Sequence, residues 1–135
     1  MALDGWRAHL PGLLADSKGN RVATKAAILV VQGEHIWVVS SDGYNLSTDE
    51  QKAIVAGLSN PDHVQATGIR ADGKKFLTIR AEPERIYGKK QADGIIIVKT
   101  VQTVIVVEYA APVQAAEATV HVERYAQDHL ISKGY

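Results

Sequence analysis

The chain has 135 residues, 15 of them basic and 15 acidic, so its formal net charge is zero and no global field draws it to a polyanion such as nucleic acid. That length suits a single domain over residues 1–135, large enough to bury a core without covalent staples. The absence of cysteine excludes disulfides, thiolate catalysis and cysteine-ligated metals.

At the amino terminus, Asp4, Arg7 and His9 interrupt the stretch where a signal peptide or membrane span would need an unbroken apolar run, which predicts a soluble intracellular protein. Asp4 is placed to cap a short amphipathic helix carrying Trp6 and Leu10, which Pro11 and Gly12 either end or restart one turn on. The β-branched runs AAILVV (26–31) and HIWVVS (35–40), separated by Gln32-Gly33-Glu34, predict a tight hairpin. Ser47 and Glu50 stand at capping-box spacing before Ile54, Val55 and Leu58, which share one helical face, so a helix is expected over 48–58.

After Asn60-Pro61-Asp62-His63, the segments VQATGIRA (64–71) and KKFLTIRA (74–81) flank Asp72-Gly73, the strongest short hairpin signal in the chain. The stretch IYGKKQADGIIIVKT (86–100) is expected to carry Lys89 and Lys90 on a glycine-bracketed turn ahead of a buried strand. The runs IIIV (95–98) and VIVV (104–107) are continuously apolar, which predicts strands covered on both faces. The tail from Val113 to Ile131 lacks Gly and Pro and puts Ala118, Val122, Tyr125 and Ala126 on one stripe of a long helix. This order of elements predicts an α/β (α+β) domain around a central, mainly antiparallel sheet with helices on both faces.

The chain lacks the usual catalytic signatures. Gly88 and Gly94 bracket the lysines, but Ile95 and Ile96 follow where a phosphate-binding loop needs Lys and then Ser or Thr. There is no Gly-x-Ser-x-Gly elbow, and His9, His35, His63, His121 and His129 are scattered without zinc-ligand spacing. Glu82 and Glu84 flank Pro83 in a charged connection, which reads as a solvated turn rather than an acid/base pair. Neither a cofactor, a metal nor an enzymatic activity is expected.

One pattern is specific. GWRAH (5–9), the two β-branched runs, IYGKKQADGIIIVKT, PVQAAEATVHVE (112–123) and LISKGY (130–135) together resemble the profilin family from end to end. The resemblance implies a central antiparallel sheet, the two terminal helices on one face and smaller helices on the other. It also implies a monomeric cytoplasmic protein of the cytoskeleton that binds actin monomers, regulates polymerisation and promotes exchange of actin's nucleotide. Proline-rich proteins such as formin-type elongation factors, and phosphatidylinositol phosphates at the membrane surface, are its other implied partners.

By that resemblance, Trp6, His9, Trp37, His129 and Tyr135 form a proline-rich ligand groove. A polyproline II segment offers flat rings and carbonyls but no proline N–H, so its receptor must supply aromatic platforms and hydrogen-bond donors. The family commonly has Tyr where His9 stands; imidazole stacks less area and charges near its usual pKa of about 6.5, so weaker and more pH-sensitive binding is expected. The resemblance assigns actin contacts to Arg80, Lys89, Lys90, Gln114, Thr119, Val120, Glu123 and Arg124, and phosphoinositide contacts to Arg85, Lys89 and Lys90.

Relatives often carry Gly at the place of Ala116 and a basic residue at that of Val120, and the last helix is one residue longer here than in many members. An extra residue rotates everything beyond it by about 100°. Counted back from Tyr135, His129 faces the groove; counted forward from Ala118 it falls on the core side; a π-bulge would reconcile the two counts. An adaptor that keeps the fold and binds Pro-rich or phosphoinositide ligands with little or no actin binding is the alternative reading.

Overall fold

The structure, a computed structural model, describes residues 3–135. Seven strands form an antiparallel sheet, β1 (Lys25–Gln32), β2 (His35–Ser40), β3 (Ile69–Ala71), β4 (Lys74–Ala81), β5 (Arg85–Lys90), β6 (Asp93–Lys99) and β7 (Thr103–Tyr109), in the order β2-β1-β7-β6-β5-β4-β3. Five helices, α1 (Asp4–Arg7), α2 (Leu10–Leu14), α3 (Thr48–Ser59), α4 (Pro61–Thr67) and α5 (Ala115–His129), cover the sheet, and a 3-10 turn, Ile131–Lys133, follows α5.

The central strands are apolar at successive positions because both faces are packed. Ile28, Val30, Ile96, Val98, Ile105 and Val107 meet Leu10, Leu13, Ala118, Val122, Ala126 and Leu130 of the terminal segments. Their alternating neighbours Leu29, Ile95, Ile97, Val104 and Val106 meet Ile54, Leu58 and Val64 of α3 and α4. Each such Val, Leu or Ile side chain, taken fully out of water, contributes about 1.5–3 kcal/mol, and each alanine methyl less. The terminal helices therefore share one face and the internal helices the other, as the family resemblance implied.

The sheet is curled. The Lys74 ammonium of β4 pairs with the buried Glu108 carboxylate of β7, although in a flat sheet those strands would stand three spacings, about 14 Å, apart. Small residues close the curvature: a Cβ at Gly88 of β5 would lie 2.9 Å from Ile95 Cγ2 and 3.1 Å from both Ile69 Cδ1 and Phe76 Cβ.

Several local expectations hold. Gly33-Glu34 closes the β1–β2 hairpin between paired Gln32 and His35, with φ of +59° at Gly33. Asp72-Gly73 turns β3 into β4 with φ of +52° and +77°, the geometry of a type I′ turn. Pro11 opens α2 within its first turn, where its missing N–H leaves no bond unmade, so the amino-terminal helix is restarted rather than ended. Asp4, however, is the first helical residue of α1 and not its cap; Leu3 occupies that position without a side-chain bond.

Three expectations need correction. The strand predicted over 64–71 is divided: Val64 to Thr67 complete α4, Gly68 turns the chain at φ of +82°, and only Ile69–Ala71 pair with β4. Pro61 in the first turn of α4 was the overlooked start signal. Lys89 and Lys90 are not on a turn: both belong to the β5 ladder, Lys89 opposite Gly94 and Lys90 opposite Asp93, and the turn is Gln91-Ala92 alone. Lastly, α5 has no π-turn; it runs as regular α-helix and ends at Leu130, whose side chain is fully buried.

Glu50 joins two of these units. Its carboxylate accepts the Ser47 N–H at 2.8 Å while Ser47 Oγ accepts the Glu50 N–H at 3.1 Å, completing the predicted capping box. The same carboxylate accepts the N–H groups of Asp72 (3.1 Å) and Gly73 (2.9 Å) in the β3–β4 turn. Burial disfavours its charged form, but the N–H donors of Gly73, Ser47 and Asp72 outweigh that and hold its pKa below the ordinary value. Glu50→Gln is expected to lower stability at neutral pH by about 1–2 kcal/mol in urea unfolding. A depressed folded-state pKa gives a contribution that is complete above the ordinary value of 4.5 and is lost as pH falls through the folded value. The unfolding midpoints of wild type and variant should therefore converge in acid.

Candidate functional site

Helix α5 separates two surface grooves on the face of the terminal helices. On one side, Trp6 of α1, His9 at the start of α2 and Tyr135 meet with Gly5 around a pocket of about 230 Å³. The Trp6 and Tyr135 rings are edge-on with centroids 5.5 Å apart, and Trp6 and His9 stand at 6.1 Å. Tyr135 is placed by its backbone: its carbonyl accepts from Thr100 Oγ1 at 3.0 Å and from the Gln102 N–H, and its own N–H donates to Leu130 O at 2.9 Å.

His129 joins this group indirectly. It is exposed, and its ring stacks on Tyr125 with centroids 4.3 Å apart and planes 28° apart; the Tyr125 hydroxyl in turn lies 2.7 Å from His9 Nδ1. The core-side placement obtained by counting from Ala118 is thus incorrect. The buried residues of α5 are Ala118, Val122 and Ala126, continued by Leu130, and this i, i+4 row advances about 40° around the helix per step. By the last turn the row has rotated away from His129. Trp37 is half-buried on β2, the strand that α1 packs against, and its nearest aromatic partner is His35 at 5.7 Å rather than Trp6.

On the other side of α5, Ala116, Thr119 and Val120 face Arg80 and Ile79 of β4 and Tyr87 and Lys89 of β5 across a groove of about 650 Å³. Its rim is apolar and open to solvent, with Ile79 62% and Val120 52% exposed. Glu123 ties helix to sheet below it, accepting from the Tyr87 hydroxyl and lying 3.4 Å from Arg85 Nε. Burial and the Glu123 bond push the Tyr87 hydroxyl up to about 12, so it remains a donor at neutral pH.

The other expected contact residues are not all gathered here. Gln114 is the exposed N-cap of α5 and makes no side-chain cap bond. Lys90 lies at the exposed end of β5, outside the groove lining. Arg124 lines a third hollow, of about 360 Å³, with Gly12, Asp16, His121 and Asp128 on the opposite flank of α5. Arg85 is separated from Lys89 by four residues of strand, about 13 Å, and its guanidinium lies between Glu123 and Glu84. The three expected phosphoinositide residues therefore do not form one patch. Among the described residues, neither Lys89 nor Lys90 is in an ion pair.

Tyr87, Ile79 and Tyr125 were absent from the sequence-based assignments. The alternation of β5 was the available signal for Tyr87, since it puts Arg85, Tyr87 and Lys89 on one face. Among the described residues no cluster of three or more His, Asp or Glu side chains is arranged to hold a metal, and no helix is long and apolar enough to cross a membrane.

A family model for profilin matches residues 4–135. The chain belongs to the profilin family. It is 38% identical over 130 residues to the profilin of Saccharomyces cerevisiae, covering 96% of this chain and 98% of that one. The Schizosaccharomyces pombe profilin is likewise 38% identical, over 131 residues. Among solved structures, Acanthamoeba castellanii profilin IB superposes with a TM-score of 0.84 at 31% identity, covering 96% of this chain and 99% of its own. Mouse Profilin IIa, solved in complex with a double repeat from the FH1 domain of mDia1, shares the profilin fold at 17% identity and a TM-score of 0.75, covering 97% of this chain and 99% of its own.

The Tyr87–Glu123 bond joins α5 to the sheet beside the larger groove, and Tyr87→Phe is expected to lower stability by about 1 kcal/mol. A raised folded-state pKa gives a contribution that is present below the ordinary tyrosine value of 10 and is lost as pH rises toward 12. Chemical denaturation of both proteins across that interval should show their difference shrinking.

Proposed function

We propose that the chain is a single-domain binding module, without chemistry of its own, that binds monomeric actin, regulates its polymerisation and promotes exchange of its nucleotide. A second site takes proline-rich segments. The observation that carries this reading is the pair of grooves on opposite flanks of α5, one aromatic and one apolar with a basic edge, in a chain of the profilin family. Its place of action is the cytoplasm and the cytoskeleton, as a monomer.

The proline-rich site is assigned to Trp6, His9 and Tyr135, with Trp37 and His129 at its margins. Indole and phenol faces match pyrrolidine rings, and the indole N–H, phenol O–H and imidazole N–H match the ligand's carbonyls. The complex of mouse Profilin IIa with an FH1 double repeat supports the ligand class. The depressed pKa of His9, caused first by burial and then by His129 and Lys133, keeps its ring neutral at neutral pH. Peptide affinity is accordingly expected to fall only as pH drops below the ordinary imidazole value of 6.5.

The actin face is assigned to Arg80, Lys89, Thr119, Val120 and Glu123, with Gln114 and Lys90 at the exposed ends of their elements; Arg124, on the opposite flank of α5, lies apart from it. Lys89 and Lys90 also serve anionic phosphoinositide head groups, and Arg85 joins them only by leaving Glu123. The adaptor reading keeps two specific supports, Ala116, where relatives often carry glycine, and Val120, an exposed apolar residue where they often carry a basic one, both lining the larger groove.

Release of a fluorescent nucleotide from monomeric actin, followed as the protein is titrated in, tests the proposal. Dose-dependent acceleration, abolished by Lys89→Glu, is the expected result. No acceleration and no actin binding, with proline-peptide binding intact, would establish the adaptor instead.

A further inference from the structure

Tyr125 stands behind the aromatic groove. Its ring is held on three sides: His129 stacks on one face, the His9 ring meets it edge-on at 81°, and Gly12 packs so closely that a Cβ there would strike the phenol. Gly12 is itself fixed to α5, because His121 Nε2–H donates to its carbonyl at 2.7 Å. The phenol therefore has a defined place, and its hydroxyl meets His9 Nδ1 at 2.7 Å.

Two proton arrangements fit that distance. Either the hydroxyl donates to a bare Nδ1, or an Nδ1–H donates to the phenolic oxygen. The lone pair of a neutral imidazole nitrogen is a strong acceptor, whereas the phenolic oxygen shares its lone pair with the ring and is a poor one; the phenol is also the more acidic donor. The first arrangement is favoured on both counts. Burial pushes the Tyr125 phenol above its ordinary pKa and, with His129 and Lys133, holds His9 below its own, so the donor keeps its proton and the acceptor stays neutral.

A neutral imidazole has one N–H, so a bare Nδ1 puts the proton on Nε2. Nε2 makes no hydrogen bond within the described residues, and the His9 ring lines the pocket shared with Trp6 and Tyr135. We propose that Tyr125 is a positioning residue whose hydroxyl, donating to His9 Nδ1, holds His9 as the Nε2–H tautomer and so gives the groove a neutral N–H donor for a backbone carbonyl of a proline-rich ligand. This rests on the proline-rich reading of the groove. A tyrosine at position 9 would need no such partner, since a hydroxyl rotates to donate; an imidazole donates from one nitrogen only, and a bare Nε2 would set lone pair against lone pair at the ligand carbonyl.

The test combines long-range 1H–15N spectra of the labelled protein at neutral pH, which report each histidine's tautomer, with titration of a polyproline peptide. Wild type, Tyr125→Phe and Trp6→Ala are compared. The phenylalanine variant keeps the stacked ring and removes only the hydroxyl. Wild-type His9 is expected as Nε2–H. In Tyr125→Phe it becomes a tautomer mixture, and peptide affinity falls roughly three- to tenfold, the range of one neutral hydrogen bond. An Nδ1–H signal in wild type, or a Tyr125→Phe protein with unchanged tautomer and affinity, overturns the proposal while leaving the groove reading intact. A wild type that binds no peptide, or a Trp6→Ala protein that binds as well as wild type, overturns the groove reading and the proposal's ligand with it.

Discussion

Ala118, Val122 and Ala126 of α5, with Leu130 just beyond it, are removed from water against the sheet, and both candidate faces follow from that row. Its i, i+4 spacing makes the contact line drift around the helix by about 40° per step. Residues on one flank, Ala116, Thr119 and Val120, overhang β4 and β5; residues on the other, His121, Tyr125 and His129, turn toward α2 and the amino-terminal aromatics. A helix buried along a straight i, i+7 line would have presented the same two flanks along its whole length. Here the drift separates the grooves by position along the helix as well as by side.

Polar contacts then hold the two flanks at fixed distances. Tyr87 and Arg85 engage Glu123 on the side of β5, His121 engages Gly12 on the side of α2, and Thr100 and Gln102 hold the Tyr135 carbonyl. Each is part-buried or at the edge of the core, so each contributes on the order of 1 kcal/mol, far less than the apolar row. Their effect is placement. They also remove charge from binding: Arg85 and Arg80 are both paired with glutamates, which among the described residues leaves Lys89 as the unpaired cation lining the larger groove.

Much of this was legible in the sequence, for identifiable reasons. Turns with positive φ favour Gly, Asn or Asp, which exposed Gly33 and Asp72-Gly73, whereas Gln91, at φ of +57° in the β5–β6 turn, gave no such signal; the capping box at Ser47 and Glu50 requires a fixed spacing; and short continuous apolar runs rich in β-branched residues fit strands covered on both faces. What was misread was tertiary. The segment 64–71 has a strand-like composition, but Pro61 starts a helix and Val64 is buried against Gly57, so packing overrode local pattern. The lysines looked like loop residues because two glycines bracket them, yet Gly88 is in the ladder to make room for Ile95, Ile69 and Phe76. The orientation of His129 depended on the drift of the buried row, and the importance of Tyr125 on a contact between residues 116 positions apart. No local pattern encodes either.

The proposed function requires that the two grooves be separate sites that one molecule can use together. The most direct measurement is the affinity of a labelled polyproline peptide, by fluorescence anisotropy, with and without saturating monomeric actin. Sites that share no residues should behave additively, so the two affinities are predicted to agree within about twofold. A loss of tenfold or more in the presence of actin would mean that the partners compete for one surface, and would contradict the division of α5 into two faces.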